Sequence, residues 1–252
     1  MRDEIQIQFL GFLRNMYVGS HKFYVDESKR RFLGAFKNFE SEMEAFEISW
    51  FDKKKIEFEG ESEQVFKYAA ELAKEDHREN IKNLKQQTIF SIIAGMYHKW
   101  EIQFRDWLIE NVALGEEREI FKKLLWKENI SFVFDFISAY GWDVKNHDFY
   151  KDLNICRMLV NVYKHGNGSS FDELLRHDFT FIDEEDNIPL GVNDRNYWHY
   201  TDIKISEEHI DKFSSAITSF WNKFPERLMV SEKKPFKKYI INKIDKEKNL
   251  LK

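Results

Sequence analysis

Apolar residues recur along most of this chain at three- and four-residue intervals, the spacing that gathers them on one face of an α-helix. Between residues 61 and 112 the series Ile89, Ile93, Met96, Trp100, Phe104 and Trp107 meets no proline and a single glycine, Gly95, and predicts one very long helix or two in tandem. Residues 1 to 18 and 26 to 50 read as two further helices, the second through Phe32, Phe36, Phe39, Met43, Phe46 and Trp50, ahead of a polar break over 52 to 60. Phe121, Leu124, Leu125, Phe132 and Phe136 predict a helix over 116 to 140 that Gly141 stops. Another begins at 146 or 147 and ends at His165, with Gly166 in the place of a C-terminal cap. Beyond it the pattern loosens into a loop at 166 to 170, a short helix over 171 to 176, an acidic, turn-rich stretch over 183 to 196 and a short extended segment over 197 to 205. Ser206, followed by Glu207 and Glu208, has the form of a helix start and predicts a helix to about residue 224, before Pro225. The expected fold is all-α: a multi-helix bundle with long helices and a short irregular or extended insertion near residues 180–205. Its expected parts are an N-terminal helical part (1–60), a helical core (61–228) and a basic C-terminal tail helix (229–252).

Composition agrees with long elements around a bulky core, for the 252 residues include only three prolines and ten glycines against 24 phenylalanines and seven tryptophans. A net charge of −5 gives no global basic field for nucleic acid, although a local groove remains compatible with it. The charge is uneven, with eight lysines against three acids in residues 232 to 252. That tail reads most simply as a solvated amphipathic helix carrying Phe236, Tyr239, Ile240 and Ile244, and otherwise as a contact for nucleic acid or an acidic partner. Cys156 is the single cysteine, which forbids an internal disulfide and fits a reducing cytosol. With no signal-like N-terminus and no run of apolar residues long enough to span a bilayer, the expectation is a soluble cytoplasmic protein without a membrane partner.

Several familiar signatures are missing. There is no nucleophile-elbow serine, no Walker-type phosphate loop, no His-Glu-x-x-His and no Cys-x-x-Cys, and the scattered histidines give no metal-binding spacing. The expectation is therefore no metal and no cofactor. What stands out is a line of polar residues on the helix ending at His165. Arg157, Asn161 and His165 climb one slowly drifting edge, Lys164 lies beside the last, and nearly everything between is apolar. A guanidinium on a buried helix is costly unless it is paired, hydrogen-bonded or waiting for an anion. The plainer alternative gives Arg157 a carboxylate on a neighbouring helix, makes Asn161 a bridge between helices, and leaves Lys164 and His165 to suit the negative end of the helix dipole. A second set, His98, Glu101 and Arg105, shares one face of the long helix. Glu101 and Arg105 have the favoured spacing for a surface ion pair, while the apolar surroundings suggest instead that Glu101 meets Arg157 across a helix pair.

These residues resemble the HEPN superfamily, through Arg-x-x-x-Asn-x-x-Lys-His-Gly over 157 to 166, Tyr-His-x-Trp-Glu over 97 to 101 on an earlier long helix, and Phe220-Trp221 on a terminal one. The resemblance covers roughly residues 80 to 225. It implies an all-α bundle, often a homodimer, and a metal-independent endoribonuclease of toxin–antitoxin or phage-defence systems, with RNA as substrate and an antitoxin or regulatory protein as a further partner. It also implies roles for the residues that match. His165 would exchange the proton of the ribose 2′-hydroxyl, Arg157 would hold the phosphate and stabilise developing charge, and Asn161 would orient the ribose or His165. Lys164, His98, Glu101 and Arg105 would support substrate binding. Seven residues separate Arg157 from His165, wider than the family's usual spacing, and this favours the alternative of a non-catalytic HEPN-like module that binds RNA, a nucleotide or a partner protein. A third reading is purely structural, with Arg157 and Glu101 as a buried pair that fixes helix register.

Overall fold

The structure, a computed structural model, describes residues 6–112, 117–177, 179–182, 198–229 and 236–250. The fold is all-α, built from helices α1 (Gly11–Phe32), α2 (Phe39–Lys54), α3 (Glu63–Val112), α4 (Glu117–Lys127), α5 (Ile130–Ser138), α6 (Tyr150–His165), α7 (Ser169–His177), α8 (Glu207–Lys223) and α9 (Lys238–Leu250). The long apolar series resolves into a single 50-residue helix, α3, rather than two in tandem. Its second half is the axis of the core, where Met96, Trp100, Phe104 and Leu108 are buried against α1, α6 and α8. Its first half packs on α2, with Phe46 stacked on His77 at 4.0 Å and Phe66 among Trp50, Phe51 and Phe58.

Helix boundaries differ from the sequence reading where tertiary contacts outweigh local propensity. The expected interruption after residue 18 is absent: α1 runs straight through Gly19 and Ser20 and gives way at a 3-10 turn, Leu33–Asn38. A glycine inside a helix costs about 1 kcal/mol, which the burial of His21, Val25 and Ser28 against α3 and α8 offsets. The helix expected over 116 to 140 is two, α4 and α5, because the Asn129 side chain accepts the Phe132 N–H at 3.0 Å and starts a new helix. Gly141 follows with φ 93°, as a stop requires.

A short antiparallel pair, β1 (Gln6–Gln8) and β2 (Arg227–Met229), sets Ile7 opposite Leu228. Behind it Phe9 is buried among Trp107, Trp221 and Phe224, and Arg14 donates to the carbonyls of Trp221 (3.2 Å) and Phe224 (2.8 Å) at the end of α8. Three-residue strands are too short for a period-two pattern to be read. Of the segment expected to be extended over 197 to 205, Tyr200–Asp202 is a 3-10 turn and Ile203 alone bridges, to Ile182. The acidic stretch over 183 to 196 lies outside the described residues, as does residue 197.

The tail helix is more than a solvated one. α9 lies on α4 with Ile240 and Ile244 buried, and ion pairs join Glu247 to Lys127 (2.7 Å) and Lys243 to Glu128 (2.5 Å). Its entry is held at Asp135 of α5, which accepts from Lys145 and Lys237 at 2.8 Å each and from the Tyr239 hydroxyl at 2.5 Å. Burial pushes the Asp135 carboxyl up, but those three donors outweigh it and hold it down to about 2. Its stabilising contribution is therefore present above the ordinary carboxylate range and is lost as pH falls toward about 2. An Asp135→Asn variant is expected to loosen the start of α9, read as faster amide exchange there with unchanged protection in the second half of α3.

Candidate functional site

Helix α6 starts at Tyr150, after a 3-10 turn at Val144–Asn146, rather than at 146 or 147, and buries Ile155, Cys156, Met158, Leu159, Val160 and Val162 as the sequence indicates. Burial also pushes the Cys156 thiol up, so it is an inert thiol. Tyr163 is the exception to the apolar girth, standing partly exposed, stacked on Phe90 at 5.3 Å and hydrogen-bonded to the Ser91 hydroxyl at 3.0 Å. Gly166, at φ 66°, ends the helix and donates its N–H to the Val162 carbonyl at 2.8 Å.

Arg157 is half-buried and engaged, but not with Glu101. Its Nε donates to Asn154 Oδ1 at 2.9 Å and its Nη2 to Glu173 Oε1 at 2.7 Å. Helical side chains lean toward the N-terminus of their helix, which takes the guanidinium back over Asn154. The chain reverses after Gly166, so that α7 lies along α6 and brings Glu173 to the same place. Glu101 and Arg157 do approach one phenol, that of buried Tyr97, which burial and then the Glu101 charge raise well above its ordinary pKa.

Glu101 belongs to Arg105. Arg105 is only 4% exposed; its Nε donates to Glu101 Oε1 at 3.0 Å and its Nη2 to the same oxygen. Nη1 donates to the carbonyls of Leu125 and, at 3.1 Å, Glu128, satisfying groups that the end of α4 leaves open. His98 is exposed at the edge of this pair, its Nδ1 3.8 Å from Glu101 Oε2. Arg105 thus joins α3 to α4, with its donors directed at the protein itself.

Asn161 is half-buried, and Lys164 and His165 are exposed; none of the three has a hydrogen-bond or ion-pair partner among the described residues. His165 sits eight residues beyond Arg157, about 12 Å along the axis, while the arginine side chain extends the other way. Within one chain the two groups therefore do not converge on a single phosphate, contrary to what backbone reach alone allows. The structure brings together Glu101 with Arg105 and His98, and Arg157 with Asn154 and Glu173. It leaves Asn161, Lys164 and His165 as a separate, open group.

Sequence reasoning missed a cleft of about 400 Å³ between α3, the end of α6 and the turn before α8. Asn83, Gln87, Phe90, Tyr163, Tyr200 and Lys204 line it. Its wall is fixed by the Gln86 carboxamide, which donates to the Ile205 carbonyl (2.9 Å) and accepts the Ile205 N–H (3.1 Å), and by Asn167, which accepts the Tyr200 N–H at 2.7 Å. The Tyr200 ring also lies over Gly166, where a Cβ would stand 3.4 Å from it. These segments are about 80 and 40 residues apart in the chain, so no local pattern announces the cleft.

Among the described residues no group of three or more His, Cys, Asp or Glu side chains is placed to hold a metal ion, and no helix is long and apolar enough to cross a membrane. Comparison with known proteins gives no matching family model, no matching curated protein and no matching solved structure.

Proposed function

We propose that this protein is a HEPN-like helical module that binds RNA through the exposed end of α6 without cutting it. The observation that carries this reading is the state of Arg157. The cation on which phosphate stabilisation would depend is neutralised by Glu173, held by Asn154 and aimed away from His165. What remains open is suited to binding: Lys164 offers a mobile ammonium to a phosphate, and Asn161 and His165 offer donors and acceptors to a ribose 2′-hydroxyl. In this reading the protein acts in the cytoplasm as a homodimer, in a toxin–antitoxin or phage-defence setting, with an antitoxin or regulatory protein as a further partner. Cleavage is the second reading, favoured by the exposed imidazole of His165, which has no partner among the described residues and is a side chain able both to take and to give a proton.

One experiment separates the two. Mixed cellular RNA and a labelled single strand are incubated with the protein and its Lys164→Ala and His165→Ala variants in excess chelator. Binding that weakens with salt, a salt slope lowered by about one in Lys164→Ala, and intact RNA are expected. Fragments ending in cyclic phosphate, made by the native protein and lost in His165→Ala, would replace this reading with the ribonuclease. Neither binding nor cutting would sink both.

A further inference from the structure

The cleft beside α6 lies on a different side of that helix from the polar line. Tyr163, which lines it, lies about 160° around the helix from Asn161, the middle of the edge shared by Arg157, Asn161 and His165. Its chemistry is also different. The Phe90–Tyr163 pair is stacked nearly parallel, 6° between planes, and leaves Tyr163 partly exposed; Tyr200, also partly exposed, supplies another ring. Asn83 and Gln87, one turn apart on α3, carry carboxamides with no hydrogen-bond partner among the described residues. Lys204 likewise has an ammonium without a partner, and no acidic residue lines the cleft, among the described residues.

Rings for stacking, carboxamides for a donor–acceptor edge and one cation with no carboxylate beside it among the described residues describe a planar, hydrogen-bonding, anionic ligand. A volume of about 400 Å³ falls in the usual range for a small-ligand site. From this juxtaposition we infer that the cleft is a binding site for a nucleoside monophosphate, free or at the end of an RNA strand. The base stacks on the tyrosines and meets the amides of Asn83 and Gln87, and the phosphate meets Lys204. The Gln86–Ile205 and Asn167–Tyr200 hydrogen bonds hold the walls in place before the ligand arrives. This site stands independently of RNA binding at Lys164 and His165.

The test is calorimetric titration of the full chain with AMP, adenosine and inorganic phosphate, repeated on Tyr200→Ala, Gln87→Ala, Lys204→Ala and, as a control at the exposed start of α6, Lys151→Ala. Circular dichroism confirms that each variant is folded. Saturable AMP binding is expected. It should weaken about tenfold or more in Tyr200→Ala, as loss of a stacking ring does, fall in Gln87→Ala and Lys204→Ala, and stay unchanged in Lys151→Ala. Adenosine should bind more weakly than AMP in the native protein and equally in Lys204→Ala. A single-stranded RNA with a 5′-phosphate that displaces AMP identifies the strand end as the ligand, whereas AMP binding that such a strand does not disturb identifies the free nucleotide. Absence of saturable binding to either probe, or AMP affinity indifferent to Tyr200→Ala and Gln87→Ala, overturns the proposal.

Discussion

An Arg105→Met variant is expected to lose about 3–5 kcal/mol of unfolding free energy, the cost of breaking a buried ion pair by removing one partner. Arg105 is 4% exposed, and its guanidinium holds Glu101 and supplies Nη1 to the carbonyls of Leu125 and Glu128. Its loss leaves a carboxylate only 19% exposed without its main counter-charge, and the end of α4 without donors. Chemical denaturation reads the loss as a lower midpoint. The double variant Arg105→Met, Glu101→Gln should regain part of it, because the stranded charge is gone. Glu101→Gln alone should cost less than Arg105→Met, since the amide oxygen still accepts from the guanidinium. At a temperature where Arg105→Met remains folded, RNA binding should be retained. A variant of native stability that no longer bound RNA would instead make Arg105 a substrate contact.

The second large effect is acid sensitivity at the α1–α8 contact. His21 is 2% exposed and its Nε2 lies 2.9 Å from Ser214 Oγ. Burial lowers its pKa from 6.5 to about 4; Lys99 on α3 and Lys22 on α1 act in the same direction, while the Ser214 hydrogen bond and Asp26 oppose it. The unfolded chain therefore takes up a proton near pH 6.5, which the folded chain refuses until about pH 4. Stability from this group is complete above the unfolded pKa and is lost as pH falls through that window, by about 3 kcal/mol in all. The measurement is the denaturation midpoint against pH for the native protein and His21→Gln, which has no proton to gain there. A flatter profile is expected for the variant between pH 6.5 and about 4. Parallel profiles would mean that His21 gains its proton at the same pH in the folded and the unfolded chain.

Much of the architecture was legible because its causes are local. The apolar period of α3, the glycine that ends α6 at His165 and the Ser206 start of α8 are decided within a few residues of where they act. So was the line of polar residues on α6, visible as exceptions on an apolar helix. The interruption of α1, the division between α4 and α5 and the docking of α9 were misread or left open. In each case one contact outweighed propensity: buried His21 and Val25 carry α1 past Gly19, the Asn129 cap restarts the chain, and Asp135 with buried Ile240 seats the tail.

The same division holds for the candidate site. Sequence determined that the class is all-α and that Arg157, Asn161, Lys164 and His165 share the end of one helix, since helical periodicity alone fixes which residues neighbour one another. Only the tertiary structure decided which of them are free. Glu173 arrives from α7 and claims Arg157, Arg105 claims Glu101, and the cleft takes its walls from segments distant in the chain. A charge's partner and a cavity's lining depend on where separate elements meet, and side-chain reach across that meeting is set by packing, which no local pattern encodes.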